Sequence, residues 1–202
     1  MSNFLATNEG EGLPYIQWGS DAVQWFKKDG ESRAPFTFEK AVFDVEALKV
    51  GWIKIDVGVY DAILDDYKAA PVARPDEKTV KNGKEGFAYN KGFAVSVLFP
   101  EGFGDERKFS WSTSQKGSLE AMSKILNDYE AGKAANAGKL PVVAFKGHEN
   151  KKFGKGSTNI PQLEIVSWVD RPAELELSAE TPTVAKPTPE TVAPAASSAS
   201  EF

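Results

Sequence analysis

Phe93-Ala94-Val95-Ser96-Val97-Leu98-Phe99 alternates strictly, with Phe93, Val95, Val97 and Phe99 on one face. A period of two marks a strand with one buried side. Pro100-Glu101-Gly102-Phe103-Gly104-Asp105 then reads as a hairpin connection, and Lys108-Phe109-Ser110-Trp111-Ser112-Thr113 alternates again. Beyond it the period changes. Leu119, Met122, Ile125, Leu126 and Tyr129 fall on one face of an amphipathic helix. Ser114 or Ser118 can cap its start, and Gly132 can stop it.

Upstream, Val50-Gly51-Trp52-Ile53-Lys54-Ile55-Asp56-Val57 is apolar on alternate positions. Gly51 and Gly58 suit a strand that bends sharply, as the first strand of a small barrel must. Phe36 to Val45 mixes aromatic and β-branched residues and fits a strand before it. Asp61 to Asn90 is rich in Lys, Asp, Pro and Gly and reads as a long connection, of the kind that is functional or disordered. Downstream, Leu140–Phe145 and Leu163–Val169 are two further strands, with Gly147 to Asn159 between them. Five strands with a helix between the third and the fourth is the order of an OB-type barrel. It is not the strand–helix alternation of a doubly wound sheet. The expectation is a mainly β protein. Residues 41–171 would form a five-stranded OB-fold barrel with one helix between strands three and four. Residues 1–40 would form an extension packed on it, with extra strands at Tyr15–Trp18 and Val23–Phe26. No internal repeat is visible.

The composition bounds the chemistry. The 202 residues are 41% hydrophobic and include five Trp and thirteen Phe, enough for a core over roughly 150 residues. Cysteine is absent, which excludes disulfides, thiolate metal sites and a Cys nucleophile. His148 is the single histidine, so a multi-histidine metal site is excluded and a Ser-His-Asp triad has one residue to draw on. No cofactor is expected. Met1 to Glu11 lacks a basic segment followed by an apolar run, and no apolar run nears the roughly 20 residues that span a bilayer. A cytoplasmic protein without a membrane partner is expected.

The net charge of −5 is unevenly spread. After Asp170, Arg171 and Lys186 face Glu174, Glu176, Glu180, Glu190 and Glu201, so this stretch carries −3 of the total. Residues 172–202 are Pro, Ala, Thr, Ser, Val and Glu with no aromatic before Phe202. Such a composition buries too little apolar surface to offset chain entropy and is expected to be a disordered acidic tail. Glu201-Phe202 reads either as a chance ending or as a docking peptide, an apolar plug beside negative charge.

An OB barrel binds ligands across its second and third strands, between the loop after strand one and the loop between strands four and five. Here both loops carry lysines. The first holds Lys68, Arg74, Lys78, Lys81, Lys84 and Lys91 with Phe87 and Tyr89 interleaved; the second holds Lys146, His148, Lys151, Lys152, Phe153 and Lys155. Lysines neutralise phosphates and release counterions. Aromatic faces stack on bases, worth about 1–3 kcal/mol per base. Phe153 is the first stacking candidate and Tyr89 the second. The plainer reading is two solvated loops, with Phe153 folded back on the core. Trp111 is a further candidate, although Phe109 and Trp111 also suit the inward face of their strand, as Trp52 and Trp168 suit the core. Gly147 to Ser157 fails the phosphate-loop spacing, because six residues separate Gly147 from Gly154. Asp56, Asp61, Asp65 and Asp66 raise the alternative of a metal-dependent nuclease, but Asp61, Asp65 and Asp66 lie in a polar stretch where a solvated face is the ordinary explanation.

Gly51-Trp52-Ile53-Lys54, Trp111-Ser112-Thr113-Ser114, Gly138-Lys139-Leu140-Pro141-Val142-Val143 and Ile165-Val166-Ser167-Trp168-Val169-Asp170-Arg171-Pro172 resemble the single-stranded DNA-binding proteins of double-stranded DNA bacteriophages. The resemblance covers roughly residues 40–172 and is one of pattern. It implies an OB core that coats and protects single strands in DNA replication and recombination without being an enzyme. It also implies an acidic tail, often ending in Phe as Glu201-Phe202 does, that recruits replication and recombination proteins and competes with DNA. The tail departs from that pattern in lacking a dense Asp/Glu run. An OB-type protein–protein adaptor, its basic loops facing an acidic partner, is the other alternative. Oligomeric state is left open.

Overall fold

The computed structural model describes residues 14–29, 32–56, 59–81, 83–103, 106–154 and 156–176. In chain order the strands are β1 (Tyr15–Gly19), β2 (Gln24–Asp29), β3 (Ser32–Phe36), β4 (Lys40–Phe43), β5 (Lys49–Asp56), β6 (Val59–Asp66), β7 (Lys78–Lys81), β8 (Lys84–Phe87), β9 (Asn90–Phe103), β10 (Glu106–Thr113), β11 (Lys139–Phe153) and β12 (Gly156–Asp170). Helix α1 (Lys116–Gly132) lies between β10 and β11, and the short α2 (Ala173–Glu176) follows β12. The protein is mainly β, as expected. One ten-stranded sheet runs β12-β11-β4-β9-β10-β1-β2-β3, with β5 paired to both β9 and β6, while β7 and β8 form a separate hairpin.

This differs from a closed five-stranded barrel in three ways. First, the residues before 40 are part of the sheet rather than packed on it: β1 runs parallel to β10 and carries β2 and β3 outward. Second, the long polar connection contains β6, paired with β5 over its whole length, and the β7–β8 hairpin. The aspartates of Val59–Asp66 hide its period from the sequence because it is an edge strand. Third, no ladder joins β12 to β10 among the described residues. Asn159 of β12 ties the gap instead: its carbonyl accepts from the Trp18 indole at 2.8 Å, and its side-chain amide donates to Ser20 O at 2.7 Å. Helix α1 lies along β12. Gly117 brings its backbone close to Asn159 O, and Gly132 leaves room for the Trp168 ring.

The first long strand breaks at Asp44, where a 3-10 turn at Val45–Ala47 separates β4 from β5. The break lets one stretch of chain pair with both β11 and β9. Asp44 is fully buried. Its carboxylate accepts from Ala47 N and from both terminal nitrogens of Arg171, at 2.8 and 2.9 Å, and Arg171 also reaches Glu46 at 3.0 Å. These partners hold the guanidinium above its ordinary pKa, the Asp44 bond first.

The alternation of β9 and β10 turns Phe93, Val95, Val97, Phe99, Phe109 and Trp111 into the core. The N-terminal hairpin adds Trp18 and Trp25, and α1 adds Met122, Ile125 and Tyr129. Leu119 and Leu126 are only partly buried. The expected serine cap of α1 is not used. Gln115 is the N-cap and makes no side-chain capping bond, and the buried Ser118 hydroxyl has no hydrogen-bond partner among the described residues. The boundary expected at Arg171-Pro172 also moves. Leu175 of α2 is buried among Val42, Leu98, Leu140 and Val142, and Glu174 bonds Arg107 at 3.0 Å, so the residues through Glu176 belong to the folded part. The rest of the expected tail, with Glu201 and Phe202, lies outside the described residues. No described helix is long and apolar enough to cross a membrane.

Two stability predictions follow from this geometry. A Cβ at Gly51 would sit 2.1 Å from the Ile63 carbonyl oxygen, whereas one at Gly86 meets nothing. Gly51→Ala should cost about 1–3 kcal/mol in urea unfolding, and Gly86→Ala should be close to neutral. Arg171→Ala strands the buried Asp44 carboxylate and should cost about 3–5 kcal/mol. Lys124→Ala, which removes an exposed pair with Asp128, should cost under about 1 kcal/mol.

Candidate nucleic-acid interface

The face of β9 and β10 that points away from the main core carries small residues up to the pair of the buried Leu98 and Lys108. Paired residues in a ladder share a face, so Ala94 with Ser112 and Ser96 with Ser110 form a floor between the two strands. Filling the interior with rings places these small residues outside, because side chains alternate along a strand.

Both borders of this floor carry aromatic residues. On one side the β5–β6 arm curls over β9. Ile53 packs where Gly92 has no side chain, and a Cβ there would meet Ile53 Cδ1 at 2.4 Å. The curl carries Tyr60 across, and its hydroxyl hydrogen-bonds Ser112 Oγ at 2.6 Å. The Tyr60 ring stays 58% exposed, beside the exposed Ile55. On the other side, β1 pairs Tyr15 with Ser110, and β2 places Lys28 opposite Tyr15 and Phe26 opposite Gln17. Lys28 Nζ lies 5.5 Å from the Tyr15 ring centroid, and the Arg33 guanidinium of β3 lies 3.7 Å from that of Phe26. Lys49 pairs with Ala94 on the same face. The result is a shallow groove with Tyr60 on one bank and Tyr15, Phe26, Lys28 and Arg33 on the other. At its far end Lys108 donates to Glu174 O at 2.8 Å, and burial lowers the Lys108 pKa.

The residues singled out from the sequence are placed differently. Trp111 is fully buried, its ring edge-on to Trp25 at 5.1 Å and to Phe93 at 4.8 Å, so it cannot stack on a base. Tyr89 is also buried, and its hydroxyl donates to Asp61. That carboxylate pushes the phenol up to about 12. Neither ring offers a free face, because core packing claims the first and the β5–β6 arm claims the second. Lys78 pairs with Asp76 at 2.8 Å and lies 3.3 Å from the Phe87 centroid, with Arg74 at 3.7 Å from the same ring. Lys84 and Lys91 are exposed. Lys81 is in β7, opposite Lys84.

The second cluster is the outer half of the β11–β12 hairpin. Lys146 pairs with Glu164 at 3.9 Å and Lys151 with Glu120 of α1. His148 and Lys152 are exposed. Phe153 is half-buried and packs against the core, under Lys151. Lys155 lies outside the described residues. The two lysine clusters leave the end of the sheet where α1 begins and meet different flanks of that helix: Lys91 faces the Leu119 and Met122 side, Lys151 the Glu120 side. The groove between Tyr60 and the Tyr15–Phe26 bank was not read from residue patterns, because these rings come from segments distant in sequence. The small alternate residues Ala94, Ser96, Ser110 and Ser112 were the one signal available.

No protein-family model matches the chain, and no curated protein or solved structure matches it either.

The phenols set an alkaline limit. Tyr89 is raised to about 12 by Asp61, and Tyr129 to about 12 first by burial and then by Glu46. The folded state therefore holds these protons more tightly than an unfolded phenol near 10 does. Stability is fully present below about pH 10 and falls as pH rises toward 12. Thermal melts from pH 9 to 12 should show this loss, and Tyr89→Phe should make it shallower.

Proposed function

We propose that the protein binds single-stranded DNA without chemistry, laying the strand across β9 and β10 between Tyr60 and the Tyr15–Phe26 bank. The observation that carries this reading is that the exposed Tyr60 ring on one side, and the Tyr15 and Phe26 rings with Lys28 and Arg33 against them on the other, border a floor of small residues. Flat bases need ring faces, phosphates need cations, and a continuous strand needs a groove free of large side chains. Lys28, Arg33 and Lys49 supply charge beside the groove. Lys84, Lys91, His148 and Lys152 extend it at the end where α1 begins.

The strand path supports the same reading. The broken first strand pairs with both β9 and β11, and β12-β11-β4-β9-β10 follows the fifth, fourth, first, second and third strands of an OB-type barrel. The N-terminal hairpin stands where the third and fifth would meet. The second and third strands of such a barrel are its usual ligand face. With the resemblance in residues 40–172, this points to a bacteriophage protein that coats single strands during replication and recombination in the host cytoplasm. The segment with Glu201 and Phe202 would recruit replication or recombination proteins.

Fluorescence anisotropy of a labelled oligo-dT tests the proposal. Affinity should fall steeply with salt, with a log–log slope of about 0.7 per neutralised phosphate. Tyr60→Ala and Tyr15→Ala should each cost about 1–3 kcal/mol, and Arg33→Ala should lower the slope. Lys124→Ala, on the exposed side of α1, should change nothing. Affinity indifferent to salt, preference for duplex, or cleavage of the strand with Mg²⁺ would each defeat the reading.

A further inference from the structure

The opposite face of the β5–β6 arm encloses a cleft of about 310 Å³, at the lower end of the range of small-molecule sites. Val50, Trp52 and Phe93 form its floor, Leu119, Met122 and Leu126 of α1 one wall, and the segment Ala69–Val72 the other. The segment is tied down at both ends. Trp52 Nε1 donates to Val72 O at 2.8 Å, Tyr67 N donates to Leu48 O at 3.0 Å, and the Tyr67 hydroxyl donates to Glu130 at 2.8 Å. This explains why Leu119 and Leu126, on the apolar side of the helix, are not fully buried: they line a space rather than fill the core.

The charges at the rim are polarised. Lys91 pairs with Trp52 on one side of β5, and Asp65 pairs with Val50 on the other. With strand spacings near 4.8 Å and a rise near 3.3 Å per residue, their backbones stand roughly 12 Å apart. Lys91 is exposed and forms no ion pair with a described residue. Asp65 accepts one backbone N–H at 2.8 Å, from Asp66, which leaves its second carboxylate oxygen, while Asp66 pairs with Lys49 and so lies on the other face of the arm. The cleft therefore has apolar walls, an indole on its floor, a cation at one end and an acceptor at the other.

We infer that this cleft is a subsite for one unpaired nucleotide whose base carries an exocyclic amine. The base lies against Trp52 between β5 and α1, its amine faces Asp65, and its phosphate meets Lys91. Adenine and cytosine satisfy this pattern and thymine, which lacks the amine, does not. This deepens the proposed function and rests on it: the groove would hold a strand of any sequence, while the cleft would add a preference for amino bases.

Tryptophan fluorescence reads the cleft directly. Trp18, Trp25 and Trp111 are at most 1% exposed, and Trp168 packs on Tyr129, so Trp52 is the ring placed to respond. Full-length protein is titrated with dAMP, dCMP and dTMP. dAMP and dCMP should quench, with dTMP at least several-fold weaker. Trp52→Phe should abolish the response. Lys91→Met should weaken dAMP about tenfold and leave adenosine unchanged, and Asp65→Asn should narrow the gap between dAMP and dTMP. Ala70→Phe, which fills the cleft from its exposed wall, should abolish quenching without disturbing the core. Equal responses to all three nucleotides, or quenching that survives Trp52→Phe, overturns the inference. If mononucleotides give no response while labelled oligo-dT still binds by anisotropy, the cleft is refuted and the groove stands. If neither binds, both readings fall.

Discussion

Trp111 sits at the centre of the molecule and must be covered on every side. Phe43 and Phe93 meet it from the sheet and Trp25 from the N-terminal hairpin, all edge-on with centroids between 4.8 and 6.1 Å. Edge-to-face contacts of this kind add about 0.5–1.5 kcal/mol each beyond the area they bury. The indole N–H groups of Trp25 and Trp111 find no hydrogen-bond partner among the described residues, a cost that apolar burial has to offset. The hairpin is the largest adjustment to this need. Without β1 and β2, the edge of β10 and one flank of Trp111 would face water.

The same packing shapes the surface. A strand that gives its large residues to the core has only the alternate positions left for solvent, and in β9 and β10 these include Ala94, Ser96, Ser110 and Ser112. Gly92 then lets Ile53 lie flat, the arm folds over, and Tyr60 reaches Ser112. One bank of the groove thus follows from a missing side chain on β9. The other follows from β1 pairing in parallel with β10. The arm that forms the first bank also supplies the floor of the apolar cleft on its reverse side, so the groove and the cleft share one element and Gly51 underlies both.

Electrostatics are compatible with the polyanionic ligand proposed for this acidic protein. Several lysines of the two clusters are paired, Lys78 with Asp76, Lys146 with Glu164 and Lys151 with Glu120. Exposed pairs of this kind are worth little, so a phosphate can displace a carboxylate at small cost. Glu120 holds the Lys151 ammonium above its ordinary pKa, first through a hydrogen bond. Arg33 and Lys28 lie instead against rings, where the cation is held in place without being neutralised.

The sequence by itself determined the elements with a clean period: the strands at Phe93–Phe99, Lys108–Thr113, Leu140–Phe145 and Leu163–Val169, and the helix through Leu119–Tyr129. Side-chain alternation is a local property, and burial on one face leaves its mark residue by residue. It also pointed to the outer side of the second and third strands as a ligand face, and it left Trp111 suited to either core or surface. Only the tertiary structure decided that Trp111 and Tyr89 are buried, that Val59–Asp66 is a strand despite its aspartates, and that Leu175 belongs to the folded part. The two banks, Tyr60 on one side and Tyr15 with Phe26 on the other, were equally out of reach. Those rings come from segments with no periodic relation to β9 and β10, and their shared face exists only through the parallel β1–β10 pairing and the fold of the arm over Gly92.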